Sequence, residues 1–227
     1  MYDLYIANKN YSSWSLRPWV LMRELKIGFR EHSLYFGQEP SWESFRKISP
    51  SGKVPCLVDG DTVVWDSFAI AEYLAERHAG VWPADPVARA WARSAAAEMH
   101  SGFGELRNQC SMTCGQRIRL NEVPAALQSE VVRLGALWND GLRRFGGPFL
   151  AGAKFTAVDA FYAPVTFRVQ SYGLTLDTAA AAYAERVLNT GPMREWYADA
   201  LKETQRDAPH EADALRVGRV LQDLRAT

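Results

Sequence analysis

Four hydroxyls and a guanidinium crowd into Tyr11-Ser-Ser-Trp-Ser-Leu-Arg-Pro-Trp19, just ahead of apolar residues at helical spacing, Leu16, Val20, Leu21 and Leu25. A serine hydroxyl is far too weak a base to remove a proton at neutral pH, but it donates a hydrogen bond well to an anion. The start of a helix adds free N–H groups and a favourable field for negative charge. Ser12 and Ser13 are therefore candidate anion-stabilising groups, with Ser15 the expected helix N-cap. Arg17 is expected to form a structural ion pair.

A second stretch, Lys53-Val-Pro-Cys-Leu-Val-Asp-Gly-Asp-Thr-Val-Val-Trp-Asp-Ser-Phe-Ala-Ile-Ala-Glu-Tyr-Leu74, reads as a loop, a hairpin and a helix. Val54 precedes a proline and is biased to extended geometry. From there its backbone can pair with an extended peptide, a short β-augmentation. Asp59-Gly60-Asp61 between β-formers signals a hairpin turn. Ser67, before Phe68, Ile70, Ala71 and Leu74, places a hydroxyl at a helix start.

The elements that must position these groups follow in order. Tyr2 to Ala7 alternates as a strand. A helix follows with Pro18 in its first turn and Gly28 as its stop. Phe29 to Phe36 is a second strand, parallel to the first through a right-handed crossover. A short helix, Trp42 to Ile48, leads to the loop, hairpin and helix above, giving β-α-β-α-β-β-α. This order predicts a four-stranded mixed sheet covered by helices, the thioredoxin-like arrangement, over residues 1–79. Residues 80–86 form a proline-rich linker. Residues 87–227 have helical period nearly throughout, so the second domain is expected to be all-α. Its helices run from Ala88 to Leu120, bent near Gly102 or Gly104, then Ala125 to Phe145. The next opens at the Thr156-Ala-Val-Asp159 capping box, and two more cover Ala179 to Leu188 and Pro192 to Thr204. Asp207 to Thr227 is a final helix or a frayed tail.

Together these motifs resemble the cytosolic glutathione transferases. Tyr11 to Trp19 resembles the Ser-Ser-x-Ser-x-Arg signature of zeta-like and other serine-type members. Ser51-Gly-Lys-Val-Pro55 resembles the family's loop before a cis-proline. Asp66-Ser67-Phe-Ala-Ile70-Ala-Glu-Tyr-Leu74 resembles its Glu/Gln-Ser-x-Ala-Ile-x-x-Tyr-Leu helix, with Asp where Glu or Gln is usual. Gly152 and Phe155-Thr-Ala-Val-Asp-Ala160 resemble its helical-domain capping motif. The resemblance implies glutathione as co-substrate, with Val54, Pro55, Asp66 and Ser67 in its site and Lys53 and Gln38 toward its glycyl carboxylate. Ser67 would meet the γ-glutamyl carboxylate and Asp66 the ammonium. It implies catalysis by Ser12, aligned through Arg17, or by Ser13, and an electrophile pocket at Tyr11, Trp14, Phe103, Arg107 and Ser111. A homodimer is implied as well.

The free thiol has a pKa near ~8.5, and each unit of depression needs ~1.4 kcal/mol of preferential stabilisation of the anion. That is the work asked of the serine and the helix terminus. The function expected is glutathione addition to a small electrophile. The alternatives are a zeta-like maleyl-type isomerase and a glutathione-binding module without turnover. Thiol–disulfide exchange would need a cysteine near residues 12–15, and there is none.

Composition narrows the rest. Lys+Arg and Asp+Glu both number 26 among 227 residues, which gives no basic face for nucleic acid. No run of about 18 apolar residues suggests a membrane span, and the N-terminus lacks the pattern of a secretory signal. Cys56, Cys110 and Cys114 form no framework, as expected in the reducing cytoplasm. The four histidines, His32, His78, His100 and His210, have no metal or triad spacing, so no metal is expected.

Overall fold

Leu4 and Ile6 alternate with partly exposed neighbours and are fully buried, so the strand they belong to has a core face and lies at the centre of the first sheet. In the computed structural model, which describes residues 1–37 and 41–226, this strand is β1 (Tyr2–Ile6). It pairs in parallel with β2 (Phe29–Ser33) and antiparallel with β3 (Cys56–Asp59). Strand β4 (Thr62–Val64) closes the hairpin on β3 through Gly60, whose φ of 59° suits glycine. The order is β2-β1-β3-β4. Helices α1 (Ser13–Glu24), α2 (Ser41–Ile48) and α3 (Ser67–Ala75) complete the thioredoxin-like unit.

Three local expectations change. Helix α1 starts early enough that Pro18 lies in its second turn, not its first. The helix ends at Glu24 with Leu25 as its C-cap, and the left-handed residue that turns the chain is Lys26, φ 56°, before Gly28 is reached. Strand β2 stops at Ser33, short of Phe36.

The second domain begins where Asp85 accepts the Ala88 N–H at 2.7 Å and caps α4 (Pro86–Ser101). The long helix expected to reach Leu120 is broken. Gly102 is extended, Phe103 is left-handed, α5 (Gly104–Gln109) is short, and Gln116–Leu120 forms a strand, β5. Helices α6 (Ala125–Phe145), α7 (Ala157–Tyr172), α8 (Thr178–Leu188), α9 (Gly191–Lys202) and α10 (Ala208–Val217) follow. The tail then forms β6 (Gly218–Asp223), antiparallel to β5. The domain is helical, as expected, with a two-stranded sheet added. At its centre α7 is buried on nearly every face and packs on both α1 and α4. Its Asp159 closes the capping box on the Thr156 N–H at 2.9 Å. No helix among the described residues is long and apolar enough to cross a membrane.

Candidate functional site

The loop between β1 and α1 is held from both ends of the chain. The Lys9 and Asn10 N–H groups donate to the Glu203 carboxylate at 2.6 and 3.1 Å, and Trp196 Nε1 donates to the Lys9 carbonyl at 2.9 Å. The Ser12 hydroxyl donates to Ser15 Oγ at 2.7 Å, and Ser15 Oγ accepts the Ala7 N–H at 3.2 Å. Ser15 is thus a buried anchor inside α1. The N-cap position is Ser12, whose side chain makes no capping bond. Ser13 is the first residue of α1, and its N–H donates to the Tyr11 carbonyl at 3.0 Å. The Ser13 hydroxyl has no hydrogen bond to any described residue.

A cavity of about 380 Å³ opens beside this loop. Tyr11, Ser12, Ser13, Trp14, Lys53 and Val54 of the first domain line it together. The Val54–Pro55 bond is cis, and Pro55 is buried outside the lining. Arg107, Ser111 and Arg168 enter from the helical domain, His210 and Asp213 from α10. Phe103, expected in the electrophile pocket, does not line it: its ring is buried 6.4 Å from that of Tyr162. Gln38 lies outside the described residues.

Asp66 and Ser67 are not among the cavity's lining residues; Ser67 connects to it through Arg17, which stacks on the lining residue Trp14. Asp66, exposed, is the N-cap of α3 and accepts the Phe68 N–H at 2.9 Å, so the cap falls one residue before the serine. Ser67 is buried and accepts from Arg17 Nη1 at 3.4 Å. Arg17 is 1% exposed and stacks 4.1 Å from Trp14 and 4.8 Å from Phe161. The ion pair expected for it is not formed: no carboxylate among the described residues is in salt-bridge contact with it, and its buried Nε has no partner.

Two family models cover most of the chain. The glutathione S-transferase N-terminal domain matches residues 11–77 and the glutathione S-transferase C-terminal domain residues 89–199. Glutathione S-transferase Z1 of Arabidopsis thaliana is 30% identical over 172 residues, spanning 73% of this chain and 76% of the relative. The chain belongs to the glutathione S-transferase family. A probable maleylacetoacetate isomerase of Caenorhabditis elegans is 28% identical over 181 residues, 76% of this chain and 81% of that one. The fold matches a glutathione transferase homolog from Burkholderia with bound glutathione, TM-score 0.67 at 21% identity, covering 88% of this chain and 97% of the other.

In this member of the family the cavity wall is strongly cationic. Arg107 donates to the carbonyls of Gly102 at 3.0 Å, His100 at 3.3 Å and Met99, and Arg168 donates to the Cys110 carbonyl. Both are held by carbonyl dipoles rather than carboxylates, and the buried Arg168 Nε has no partner. Burial pushes the pKa values of Arg17, Arg107 and Arg168 down, that of Arg168 to about 10; mutual repulsion adds to the shift at Arg17 and Arg168. Such groups gain most from an anion placed among them. Burial also raises the thiols, Cys110 to about 12, and keeps Cys110 and Cys114 from acting as nucleophiles.

Two histidines that spacing did not single out flank the site. His100 Nε2 lies 3.3 Å from Asp66 Oδ2, edge-on to Trp14. His210 stacks between Tyr11 and Phe36, with centroids at 5.0 and 5.4 Å. Their neighbours are remote in sequence, so no local pattern marks them. Arg168 did carry a signal: it is a lone cation in the apolar run Phe161-Tyr-Ala-Pro-Val-Thr-Phe-Arg168.

Proposed function

We propose that this protein binds glutathione as its thiolate and adds it to a small electrophile. The observation that carries the reading is the Ser13 hydroxyl, uncommitted, at the first turn of α1 and lining the cavity. One hydrogen bond there, with the helix field, favours the anion. The sequence pointed first to Ser12, but that hydroxyl donates to Ser15, so the weight shifts to Ser13. In this reading Val54 pairs with the peptide backbone and exposed Lys53 meets the glycyl carboxylate. Asp66 takes the ammonium. Buried Arg17, through Ser67, supplies positive charge beneath the γ-glutamyl carboxylate.

The arginine-lined wall favours a second reading of the reaction. A carboxylated electrophile of the maleyl type would place its charge against Arg107 and Arg168. Thiolate addition to its double bond would leave a single bond free to rotate, and loss of the thiolate would return the isomerised product with glutathione regenerated.

Titrating bound glutathione by the ultraviolet absorbance of its thiolate, with turnover of neutral and carboxylated electrophiles, tests both readings. Binding with a thiol pKa clearly below ~8.5 is the expected result. A bound thiol with an unshifted pKa, or no binding, would sink the proposal.

A further inference from the structure

We propose that Arg225 is a positioning residue for the catalytic loop: its guanidinium ties the C-terminal strand to Tyr11 and, through Tyr11, holds Ser13 in place. The inference rests on the reading of Ser12 and Ser13 as thiolate-stabilising groups.

The geometry is a closed ring of charge-assisted bonds. Arg225 Nε and Nη2 donate to the two oxygens of Asp223 at 2.8 and 2.5 Å. Nη1 and Nη2 donate to the two oxygens of Glu211 at 2.5 and 3.0 Å. Nη1 also reaches Tyr11 Oη at 2.8 Å, and that hydroxyl donates to Glu211 Oε1 at 2.5 Å. Two bidentate carboxylates more than neutralise one guanidinium, so the phenol can donate into the excess negative charge. The Arg225 side chain is only 2% exposed. The Glu211 and Asp223 side chains are 27% and 41% exposed. The strut's rigidity therefore comes from the buried guanidinium and its five donated bonds rather than from enclosed carboxylates, since exposed ion pairs alone are worth little.

The strut bears on the site because of what Tyr11 does next. Its carbonyl accepts the Ser13 N–H at 3.0 Å, its own N–H and that of Ser12 donate to the Asn8 carbonyl at 3.1 and 2.9 Å, and its ring forms part of the cavity wall. A phenol anchored at its far end leaves the backbone at Tyr11 little room to shift. Displacements of about 1 Å in such a position can cost up to about 10²-fold in rate.

The chain makes room for the arginine. Gly115, just before β5, abuts the Arg225 stem, and a methyl group added at Gly115 would overlap Cγ and approach Cδ within 2.9 Å. The Leu224 N–H donates to the Gly115 carbonyl at 2.9 Å, which sets the register that delivers Arg225. The β5–β6 sheet, absent from the helical expectation, thus carries the strut.

The test compares Arg225→Met, Tyr11→Phe, their double variant, Gly115→Ala and a control, Arg219→Met, at an exposed position on β6. Each is followed by the thiolate absorbance of bound glutathione against pH and by kcat and KM for glutathione, with thermal unfolding as the check on folding. Tyr11→Phe leaves both carboxylate pairs of Arg225 intact, so it serves even where Arg225→Met folds poorly. The expected result is a loss of about tenfold in kcat/KM and a higher bound-thiol pKa in Arg225→Met, Tyr11→Phe and Gly115→Ala. The double variant should be no worse than the worse single one, and Arg219→Met should match the parent. If Ser13→Ala moves the thiol titration while Tyr11→Phe and Arg225→Met do not, the strut is overturned and the serine reading stands. If neither serine variant moves it, the serine reading falls, and the strut's role in catalysis with it.

Discussion

His100 Nε2 sits 3.3 Å from Asp66 Oδ2, joining α4 of the helical domain to the residue that caps α3. Burial, reinforced by Arg17 and Arg107, holds the His100 pKa below its ordinary 6.5 despite the pull of Asp66. At pH 7 the imidazole is neutral. Because the folded value is depressed, the stability linked to this group is present above 6.5 and lost as pH falls through the folded value. In the proposed glutathione site, the same proton would give an imidazolium that competes with the ammonium for Asp66. KM for glutathione should therefore rise on the acid side of pH 6.5, and His100→Gln should remove that rise. Identical acid limbs in the two pH profiles would contradict the competition.

The serines should separate by their present bonds. Ser13→Ala removes the uncommitted hydroxyl and is expected to raise the bound-thiol pKa by about one unit, corresponding to ~1.4 kcal/mol. Ser12→Ala breaks the bond to Ser15 and should shift it less. The order is read from thiolate absorbance titrations of the two complexes, and a larger effect at Ser12 would reverse the assignment.

Arg168→Met should distinguish the two classes of electrophile. With the cation gone, KM for a carboxylated substrate is expected to rise by about ten- to a hundredfold, while a neutral one changes by less than about threefold. The variant should fold as well as the parent or better, since it removes a buried charge that has no carboxylate partner. Equal losses on both substrates would point to repacking around Cys110 instead.

Asp159→Asn tests the helical domain's polar core. The buried carboxylate accepts from the Leu150 and Thr156 N–H groups at 2.9 Å each, Thr156 Oγ1 at 3.3 Å and Tyr183 Oη at 3.0 Å. An amide offers one oxygen for these donors, and a loss of about 2–4 kcal/mol in stability follows. Burial outweighs the donors and pushes the Asp159 pKa from 3.8 up to about 6. Its folded value is raised, so the stability linked to its proton is full below 3.8 and lost as pH rises through about 6. Denaturant unfolding from pH 4 to 7 should show this decline, on the order of 3 kcal/mol, in the parent and not in Asp159→Asn.

The first domain was legible because its chemistry is local. Val54 before a proline, Asp59-Gly60 between β-formers and the Asp66-Ser67 helix start each fix geometry within a few residues. Thr156 and Asp159 were legible for the same reason. The strand Gln116-Arg-Ile-Arg-Leu120 was not: its alternation, with Gln116 and Ile118 inside, also scans as helix, and Arg, Gln and Leu are good helix formers. Its strand state depends on β6, about a hundred residues on, which no window contains. The site was half legible. Ser12, Ser13, Lys53 and Val54 meet around the cavity as a set, whereas Phe103 turns into the core. His210 lines it and His100 packs edge-on to its Trp14, both through partners far away in the chain.

The strut at Arg225 also bears on biosynthesis. Tyr11 and the group that clamps it are 214 residues apart, among the widest spans a contact can have here. At ~5–20 residues per second, the loop waits roughly 10 to 40 s between its own synthesis and that of its clamp. The first domain can form its sheet in that interval, but with Tyr11 unclamped. On the ribosome, then, a nascent chain would hold the serines without the fixed geometry around them. On the proposed reading, thiolate stabilisation at the serines would begin only after residue 225 has been made and packed.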